Sequence, residues 1–341
     1  SLRTGTDKIQ LGEFNGDGLP DPAIFNPVNG NSEIAKSSGT APDLLVGVNN
    51  GLGSLNTIKY QPSTALNNTF LPMPMHVVAE SAAADGMGNT GKASYAYANG
   101  FYDAATREFR GFGHVEVRDF EGGVVAMDYH QDYQRKGRAF RTAVYDGSGN
   151  LWTKEEKLYS ATVPYAGRPA YFTHMDQTDT FTYYGDATFT QARMRHTYDA
   201  YGNMTASYLD GDVALTGDEK ATLTTFNLNP AAWILNAASL VQTLDAASNV
   251  VSQVRTYYDG SADLAALPVK GTVTREEQWL NLPAPQWIGS SASFDAYGNP
   301  TVSTDPLGRS VTNVYDATFT YLTTAKSPLG HQRVQTYDPR F

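Results

Sequence analysis

Apolar and polar residues alternate in short runs along most of this chain. Period-two alternation is clear in His114–Arg118 and in Arg195–Tyr198, and it is typical of half-buried β-strands. Clusters of Gly, Asn, Asp and Pro separate the runs, as expected for turns between strands. Only Asp218–Ala221 and Pro230–Trp233 are helix candidates, and neither sustains a 3.6-residue period. The pattern predicts an all-β fold built as a large antiparallel meander of hairpins.

Several segments can be assigned individually. Two strands are predicted at Asp43–Val48 and Asn56–Tyr60, joined by a turn at Asn49–Gly53 whose residues tolerate positive φ. The segment Asn68–Val78 contains two prolines, which remove ladder donors. We therefore expect it to be an edge or crossing segment and not a central strand.

A short phrase, an aromatic residue followed by Asp and usually by a Gly turn, returns along the chain. Its spacing is 21 and then 22 residues from Phe294 onward, whereas earlier copies are separated by long insertions. Units this small must stack on their neighbours to bury apolar surface. We expect each ring to stack on the ring of the next unit, and each Asp to bind amides of its turn. The copies are Tyr145-Asp146, Tyr198-Asp199, Tyr258-Asp259, Phe294-Asp295, Tyr315-Asp316 and Tyr337-Asp338.

An acidic loop near the N-terminus is a candidate calcium site. It lies between strand-like flanks at Lys8–Leu11 and Ala23–Phe25. Oxygen ligands at alternate positions can converge on one cation where glycines allow a tight backbone path. The loop fits a β-propeller calcium loop better than an EF-hand, although such loops normally begin with Asp. The alternative is an acidic β-turn without metal. The predicted ligands are Glu13, Asn15, Asp17, the Leu19 carbonyl and Asp21.

Composition narrows the classes of function. The 341 residues carry a net charge of −10 with no basic run, which argues against a nucleic-acid partner. The chain has no cysteine, so disulfides, thiolate zinc sites and cysteine nucleophiles are excluded. No apolar stretch approaches the roughly 20 residues that span a bilayer. Because the chain begins and ends inside motifs, we expect it to be a fragment of a longer polypeptide.

The sequence gives only weak evidence for catalytic residues. The six histidines show no i,i+4 pair of the kind that binds zinc on a helix. His130 lies near Asp132, but a hydrogen-bonded structural histidine explains it better than a general base. The pairs Glu155-Glu156 and Glu276-Glu277 would point to opposite faces of a strand, unlike the facing carboxyls of a glycosidase. We predict that the chain is not an enzyme.

Four stretches together resemble a known family. The acidic loop is similar to FG-GAP type propeller loops, and the repeat phrase is similar to YD repeats. The most specific stretch is Arg107–Val115, joined by Tyr129–Asp132 and Lys136–Arg138. The fourth comprises Asn50–Gly53 and Thr57–Tyr60. The chain resembles the YD-repeat (Rhs) proteins, in the branch that includes the B component of insecticidal toxin complexes and Salmonella-plasmid-virulence-B-like proteins.

The resemblance implies an architecture and a function. It implies the end of a propeller-like segment at 1–60, shell-forming strands at 61–190 and a YD-repeat region at 191–341. In this family the sheet spirals into a hollow shell around a C-terminal cargo or toxin polypeptide. The expected function is thus a structural, secreted bacterial encapsulating segment. A translocation-channel protein resembling an A component is an expected partner through the propeller, and self-cleavage would lie beyond Phe341.

Two other functions stay open at this point. One is a cell-surface adhesin or carbohydrate-binding module in which the aromatic rows bind a glycan. The less favoured one is a polysaccharide-degrading enzyme on a β-scaffold. Selective glycan binding would distinguish the adhesin from a shell wall. Turnover lost on mutation of one carboxylate would indicate the enzyme.

Overall fold

The computed structural model describes residues 7–163, 167, 170–281 and 284–338, and it is an all-β fold with a large antiparallel sheet. Within the described residues the helical elements are two 3₁₀ turns, Ser63–Ala65 and Pro230–Ala232. The predicted fold class is therefore confirmed at the level of an all-β antiparallel meander. A propeller-like arrangement at the N-terminus stays a prediction.

A small three-stranded sheet is formed near the N-terminus. Strands β1 (Lys8–Gly12) and β2 (Asp21–Phe25) pair antiparallel, and β3 (Ser32–Ile34) pairs with β2. Gly12 pairs with Asp21, so the acidic loop is the connection between β1 and β2. The strand flanks predicted on both sides of this loop are confirmed.

The chain divides into two compact units, residues 1–162 with 178–190, and residues 163–177 with 191–341. In the first unit, consecutive strands from β4 onward form an antiparallel meander. Its strands are β4 (Gly47–Asn49), β5 (Leu55–Pro62), β6 (His76–Ala84), β7 (Thr90–Asp103), β8 (Glu108–Arg118), β9 (Val124–Tyr129), β10 (Ala139–Tyr145) and β11 (Leu151–Thr162).

The second unit repeats the same plan over a longer run of strands. The divisions between the units fall within β12 (Phe172–Tyr183) and β13 (Phe189–Tyr198). From β13 onward each strand pairs antiparallel with the next. The remaining strands are β14 (Met204–Asp212), β15 (Lys220–Phe226), β16 (Ala238–Leu244), β17 (Val250–Tyr258), β18 (Val273–Leu280), β19 (Gln286–Phe294), β20 (Pro300–Thr304), β21 (Ser310–Tyr315), β22 (Leu322–Lys326) and β23 (Gln332–Val334).

Few side chains are deeply buried in either unit. Many strands have half-buried residues at successive positions, as in β9 and β12, instead of alternating buried and exposed ones. Both faces of such strands therefore keep partial contact with solvent. The buried apolar residues are Leu19, Val124 and Ala143 in the first unit, and Ala206, Ala237, Tyr257 and Pro268 in the second. Hydrogen bonds of the backbone ladders and turns must therefore hold much of the structure that a thick hydrophobic core holds in other proteins.

Two local predictions need correction, and a third is confirmed. Asp43–Val46 is not part of a strand, because Asp43 has φ +62° and β4 begins only at Gly47. The helix candidate at Asp218–Ala221 instead leads into β15, whose polar residues pair across the ladder. The candidate at Pro230 forms one 3₁₀ turn, started by Pro230 and capped by the Asn229 side chain.

Five of the described hairpin turns share one hydrogen-bonding scheme. In the turn that begins at Asp295, Oδ1 accepts the backbone N–H of Tyr297 and of Asn299, and Oδ2 accepts the Asn299 side-chain amide. The fourth turn residue, Gly298, has φ +90°, which glycine adopts without steric cost. The same Asp-x-x-x-Asn scheme holds at Asp85, Asp146, Asp199 and Asp245.

Two further turns are close variants. Arg309 replaces the asparagine in the Asp305 turn, and its Nε binds Asp305 Oδ2 at 2.7 Å. In the Asp119 turn, Gly123 occupies the last position and donates its N–H to Asp119. The predicted role of the repeat aspartates is confirmed for five of them, Asp146, Asp199, Asp259, Asp295 and Asp316. The turn that would follow Asp338 lies outside the described residues.

The repeat aromatics do not stack on one another, so that prediction is wrong among the described residues. Three of the tyrosines instead donate their hydroxyls to backbone carbonyls of preceding segments. Tyr198 donates to Met175 at 3.0 Å, Tyr258 to Ala238 at 2.9 Å and Tyr315 to Pro300 at 3.4 Å. The ring therefore lies along the sheet and its polar end satisfies a carbonyl, as buried tyrosines usually require.

Among the Asp-x-x-x-Asn turns, the one that begins at Asp245 has serine in place of glycine at the fourth position, and it gives a stability prediction. Ser248 has φ +64°, a conformation that costs an L-residue roughly 1–2 kcal/mol. We expect Ser248→Gly to stabilise the protein by about 0.5–1 kcal/mol, since greater freedom of the unfolded glycine offsets part of the gain. The matched control is Gly149→Ser, because Gly149 has φ +85° and open space around its Cβ position. It should destabilise by a similar amount in denaturant unfolding, and equal midpoints for both variants would contradict the scheme.

The turn carboxylates also predict an acid response. Hydrogen bonds from the Thr318 hydroxyl and then the Tyr321 N–H lower the pKa of Asp316 from 3.8 to about 2. A group with a lowered folded-state pKa contributes stability above its unfolded pKa, and this is lost as pH falls from about 4 to about 2. We expect the difference in melting temperature between the native chain and Asp316→Asn to shrink across that range. Thr318→Val should shift the loss to higher pH, and parallel pH curves for all three proteins would contradict this.

Candidate functional site

The acidic loop folds around the Glu13 carboxylate. Glu13 Oε1 accepts the backbone N–H groups of Asn15 at 3.1 Å and Gly16 at 2.5 Å, and Oε2 accepts that of Gly18 at 2.8 Å. Gly16 and Gly18 both have φ +80°, which lets successive N–H groups point inward at one anion. The loop thus forms a nest of amides around its own first side chain.

The two aspartates of the loop have different environments. Asp17 Oδ1 accepts the Leu19 N–H at 2.8 Å, and Oδ2 accepts the Asn15 amide at 2.8 Å. Asp21 is 0% exposed and accepts the N–H of Phe14 at 3.1 Å and of Ser37 at 2.7 Å. Asp21 therefore ties the loop to the segment that follows β3, while Asp17 stays at the loop surface.

The loop packs directly on the strand region around β5 and β6. A Cβ atom at Gly18 would lie 2.5 Å from His76 Cε1, so only glycine fits there without movement. Thr64 donates its hydroxyl to the Gly16 carbonyl. The pKa of Asp17 is lowered by the Asn15 amide and the Leu19 N–H, with smaller contributions from His76 and Lys36.

The predicted calcium ligands are thus brought together in one loop but are already hydrogen-bonded to it. Both oxygens of Glu13 and of Asp21 accept backbone amides. Within the described part of the chain, no group of three or more His, Asp or Glu side chains is arranged to hold a metal. The residues fit a self-contained acidic turn better than a preformed calcium cage, and calcium binding stays a prediction.

The family-specific stretch forms a polar cluster at one end of β7–β9. The Arg110 side chain is 6% exposed and pairs with Asp103; it also donates to the Gln131 carbonyl at 3.2 Å. The Gln131 amide donates to the carbonyls of Asn99 at 2.7 Å and Gly111 at 2.8 Å. Three separate sequence segments therefore meet through one guanidinium and one carboxamide.

The histidines of this region have structural environments. His130 contacts Phe140 with ring centroids 4.7 Å apart, and its Nδ1 lies 3.8 Å from Asp132 Oδ2. Burial, with a smaller effect of Arg135, lowers the pKa of His130. This geometry supports the interpretation of His130 as a packed structural histidine.

His114 is the most strongly paired histidine and was not singled out by the sequence pattern. Its Nδ1 is 2.7 Å from Asp128 Oδ1 and its Nε2 is 3.2 Å from Glu116 Oε1. Asp128, followed by Glu116, raises the pKa of His114. Asp128 also lies 3.7 Å from Arg141, so the group forms a cross-strand charge ladder.

The adjacent glutamate pairs point to opposite faces, as predicted. Glu155 pairs with Lys157 at 2.7 Å and Glu156 with Lys154 at 3.0 Å, each with a partner two residues away. Glu277 accepts the Tyr257 hydroxyl at 3.0 Å. These contacts explain the carboxylates structurally.

Comparisons with known proteins support the toxin-complex part of the expected resemblance. Residues 4–143 match the family described as the middle/N-terminal region of the insecticide toxin TcdB. No curated protein matches the sequence at a significant level. The sequence match therefore concerns the first part of the chain and supports the toxin-complex side of the predicted resemblance. It does not test the YD-repeat or FG-GAP assignment.

Solved structures extend the likeness to nearly the whole chain. A Tc holotoxin pore structure of Photorhabdus luminescens aligns with 97% of this chain at 13% identity and a TM-score of 0.71. A TcdB2-TccC3-Cdc42 structure aligns with 98% at 12% identity and a TM-score of 0.69. A TcdB2-TccC3 structure without its hypervariable C-terminal region aligns with 97% at 14% identity and a TM-score of 0.63. At these identities the likeness shows a shared fold.

The chain corresponds to only part of those structures. It spans 24%, 25% and 25% of the length of the three matched chains. The activities and partners of the complete toxin assemblies therefore bear on this chain only as proposals.

The calcium prediction can be tested on the acidic loop. If calcium binds the folded loop, added calcium should raise the melting temperature by mass action, and a chelator should reverse the rise. Asp17→Ala should abolish the calcium response with little effect on stability in chelator, since Asp17 lies at the loop surface. Asp21→Ala serves as the contrast, because it leaves the part-buried amides of Phe14 and Ser37 without their acceptor and should destabilise by about 2–3 kcal/mol with or without calcium. An unchanged melting temperature on adding calcium or chelator would overturn the prediction.

Proposed function

We propose that this chain is a segment of the wall of an encapsulating shell, in a secreted bacterial protein resembling the toxin complexes. The observation that carries the proposal is the match of nearly the entire chain to the fold of toxin-complex structures containing TcdB2 and TccC3. The match to the TcdB middle/N-terminal region over residues 4–143 supports the same assignment.

The physical character of the two units suits a wall. Each unit contains an antiparallel meander in which every strand pairs with its sequence neighbour. Few side chains are buried, and the turns are saturated by their own aspartates. Such a sheet can be extended by adding hairpins, because each new hairpin needs only the edge of the preceding one.

The proposed cargo is a polypeptide enclosed by the complete shell. One of the similar structures is described as lacking a hypervariable C-terminal region, which names a variable segment in those proteins. For this chain we propose a C-terminal cargo or toxin polypeptide as the enclosed partner. A channel-forming protein resembling an A component, docking through a propeller, is the second proposed partner.

The proposed role does not require catalysis by this segment. The carboxylates and histidines considered above are engaged in ladders, turns and packing. Among the described residues, no helix is long and apolar enough to cross a membrane. The acidic net charge of −10 favours solubility of a large secreted assembly.

Electron microscopy of the polypeptide that carries this chain tests the proposal. We expect a hollow β-shell with internal density from the enclosed polypeptide. Limited proteolysis should leave that polypeptide protected until the shell is denatured, and a version carrying the same cargo outside the shell should lose the protection. A solid particle, or a cargo digested at the same rate in both versions, would overturn the proposal.

A further inference from the structure

Alternate hairpin connections of the second unit lie at the same end of its sheet. They follow β13, β15, β17, β19 and β21, as the antiparallel pairing of those strands requires. We name them loops A to E in chain order. They are loop A (Asp199–Asn203), loop B (Asn227–Ala237), loop C (Asp259–Thr272), loop D (Asp295–Asn299) and loop E (Asp316–Tyr321).

Asparagine side chains join most of these loops in series. Asn203 of loop A donates to the Leu235 carbonyl of loop B at 2.6 Å. Asn227 of loop B is 9% exposed and donates to the carbonyls of Leu264 at 2.6 Å and Ala266 at 3.0 Å in loop C. Asn229 adds a bond to the Pro268 carbonyl at 2.8 Å.

An asparagine side chain also joins loops D and E. Asn299 donates to the Phe319 carbonyl at 2.7 Å. The rings of Tyr297 and Phe319 fill the space beside it, with centroids 4.8 Å apart. Loops A with B, B with C, and D with E are therefore each joined by a carboxamide.

Loops C and D are the exception. Among the hydrogen bonds of the described residues, none joins loop C to loop D. A cavity of about 710 Å³ lies between them instead, over the ends of β18 and β19. Its volume falls within the roughly 300–1,000 Å³ typical of ligand pockets.

The two carboxylates that border this cavity are already satisfied by the protein. Asp259 accepts the backbone N–H groups of Val269 at 2.6 Å, Lys270 at 2.9 Å and Thr272 at 2.9 Å. Asp295 accepts the amides of its own turn. Neither carboxylate needs a cationic ligand to balance its charge.

The two cationic side chains that line the cavity have fewer partners in the protein than the two carboxylates have. Lys270 is exposed and has no ion-pair partner among the described residues. The Arg275 guanidinium lies over the Tyr257 ring at 3.8 Å, and its Nε lies 3.5 Å from Glu277 Oε1, beyond a good hydrogen bond. Lys270 therefore offers the cavity a cation without an ion-pair partner among the described residues, and the Arg275 guanidinium is only partly matched by Glu277, although the carboxylates of Asp259 and Asp295 line the same cavity.

The rest of the lining combines hydroxyls with one aromatic ring. Ser291 and Ser293 line the β19 side, Thr272 lines the loop C side, and Phe294 contributes the ring. Hydroxyls both donate and accept hydrogen bonds, and a few convergent polar groups beside an aromatic wall are typical of small-molecule sites. A ligand that matches all these groups has a carboxylate, several hydroxyls and a non-polar ring face.

We propose that the cavity between loops C and D binds an acidic saccharide of one or two sugar units. The sugar carboxylate pairs with Lys270 and Arg275, since charge-assisted hydrogen bonds are the strong ones. The sugar hydroxyls bind the serine and threonine hydroxyls, and the non-polar ring face packs on Phe294. This site is independent of the encapsulating function, because a shell wall has no need of one unjoined loop pair.

The test is isothermal titration of the whole chain with three probes: methyl β-glucuronide, methyl β-glucoside and acetate. We expect the glucuronide to bind at least tenfold more tightly than either other probe. Lys270→Ala should weaken glucuronide binding at least tenfold. The matched control is Lys326→Ala, an exposed lysine on β22 that does not line the cavity, and it should leave binding unchanged.

A second variant keeps the test independent of charge. Ser293→Trp places a large ring in the cavity from an exposed strand position and should abolish glucuronide binding while the melting temperature stays near that of the native chain. Absence of glucuronide binding to the native chain, equal binding of acetate, or equal loss in Lys326→Ala would each overturn the proposal. Tighter binding of a short acidic peptide at the same site would also overturn it.

Discussion

The carboxylate that closes its own turn is the interaction on which the rest of this structure depends. In each hairpin a backbone reversal exposes several N–H groups that have no ladder partner, and unpaired amides are costly where water is restricted. An aspartate at the first turn position accepts two of them through one oxygen, as Asp146 and Asp295 do. The following asparagine then occupies the second oxygen. Because the turn is satisfied locally, the strands need no covering layer to hold their ends.

Local satisfaction at the turns explains why insertions are tolerated at some of them. Loops B and C are longer than the compact turns, yet each retains internal hydrogen bonds, as between Asn229 and Ile234 and between Asp259 and Thr272. Their carbonyls are satisfied by asparagines of the neighbouring loop. A long loop in this protein is therefore held by hydrogen bonds to its neighbouring loops, together with buried residues such as Ala237 and Pro268. The irregular spacing of the repeat before Phe294 follows from this, since the ladder sets the strand register and the loop lengths can vary.

Much of this arrangement is visible in the sequence, and what is missed has a physical reason. Strand alternation and glycine-rich turns predict the meander, and the aspartate of the repeat phrase predicts its own hydrogen bonds. The turns at Asp85 and Asp245 have no aromatic residue before the aspartate, so the repeat phrase does not include them. The spacing of Asp and Asn four residues apart would have found both. The prediction of ring stacking is wrong because the tyrosine hydroxyl donates to a backbone carbonyl instead. The spacing of the repeat does not reveal this hydrogen bond.

Long-range contacts were the least predictable part. The asparagines that join loops act over 20 to 39 residues, as Asn299 with Phe319 and Asn227 with Ala266 show, and no short motif encodes their partners. The acidic loop illustrates the same limit in another way. Its alternating oxygens suit a cation, but Glu13 is long enough to reach the amides of Gly16 and Gly18. An aspartate is one methylene shorter than a glutamate. Glu13, the residue that departs from the usual calcium-loop pattern, is therefore long enough for its carboxylate to bind the amides of its own loop.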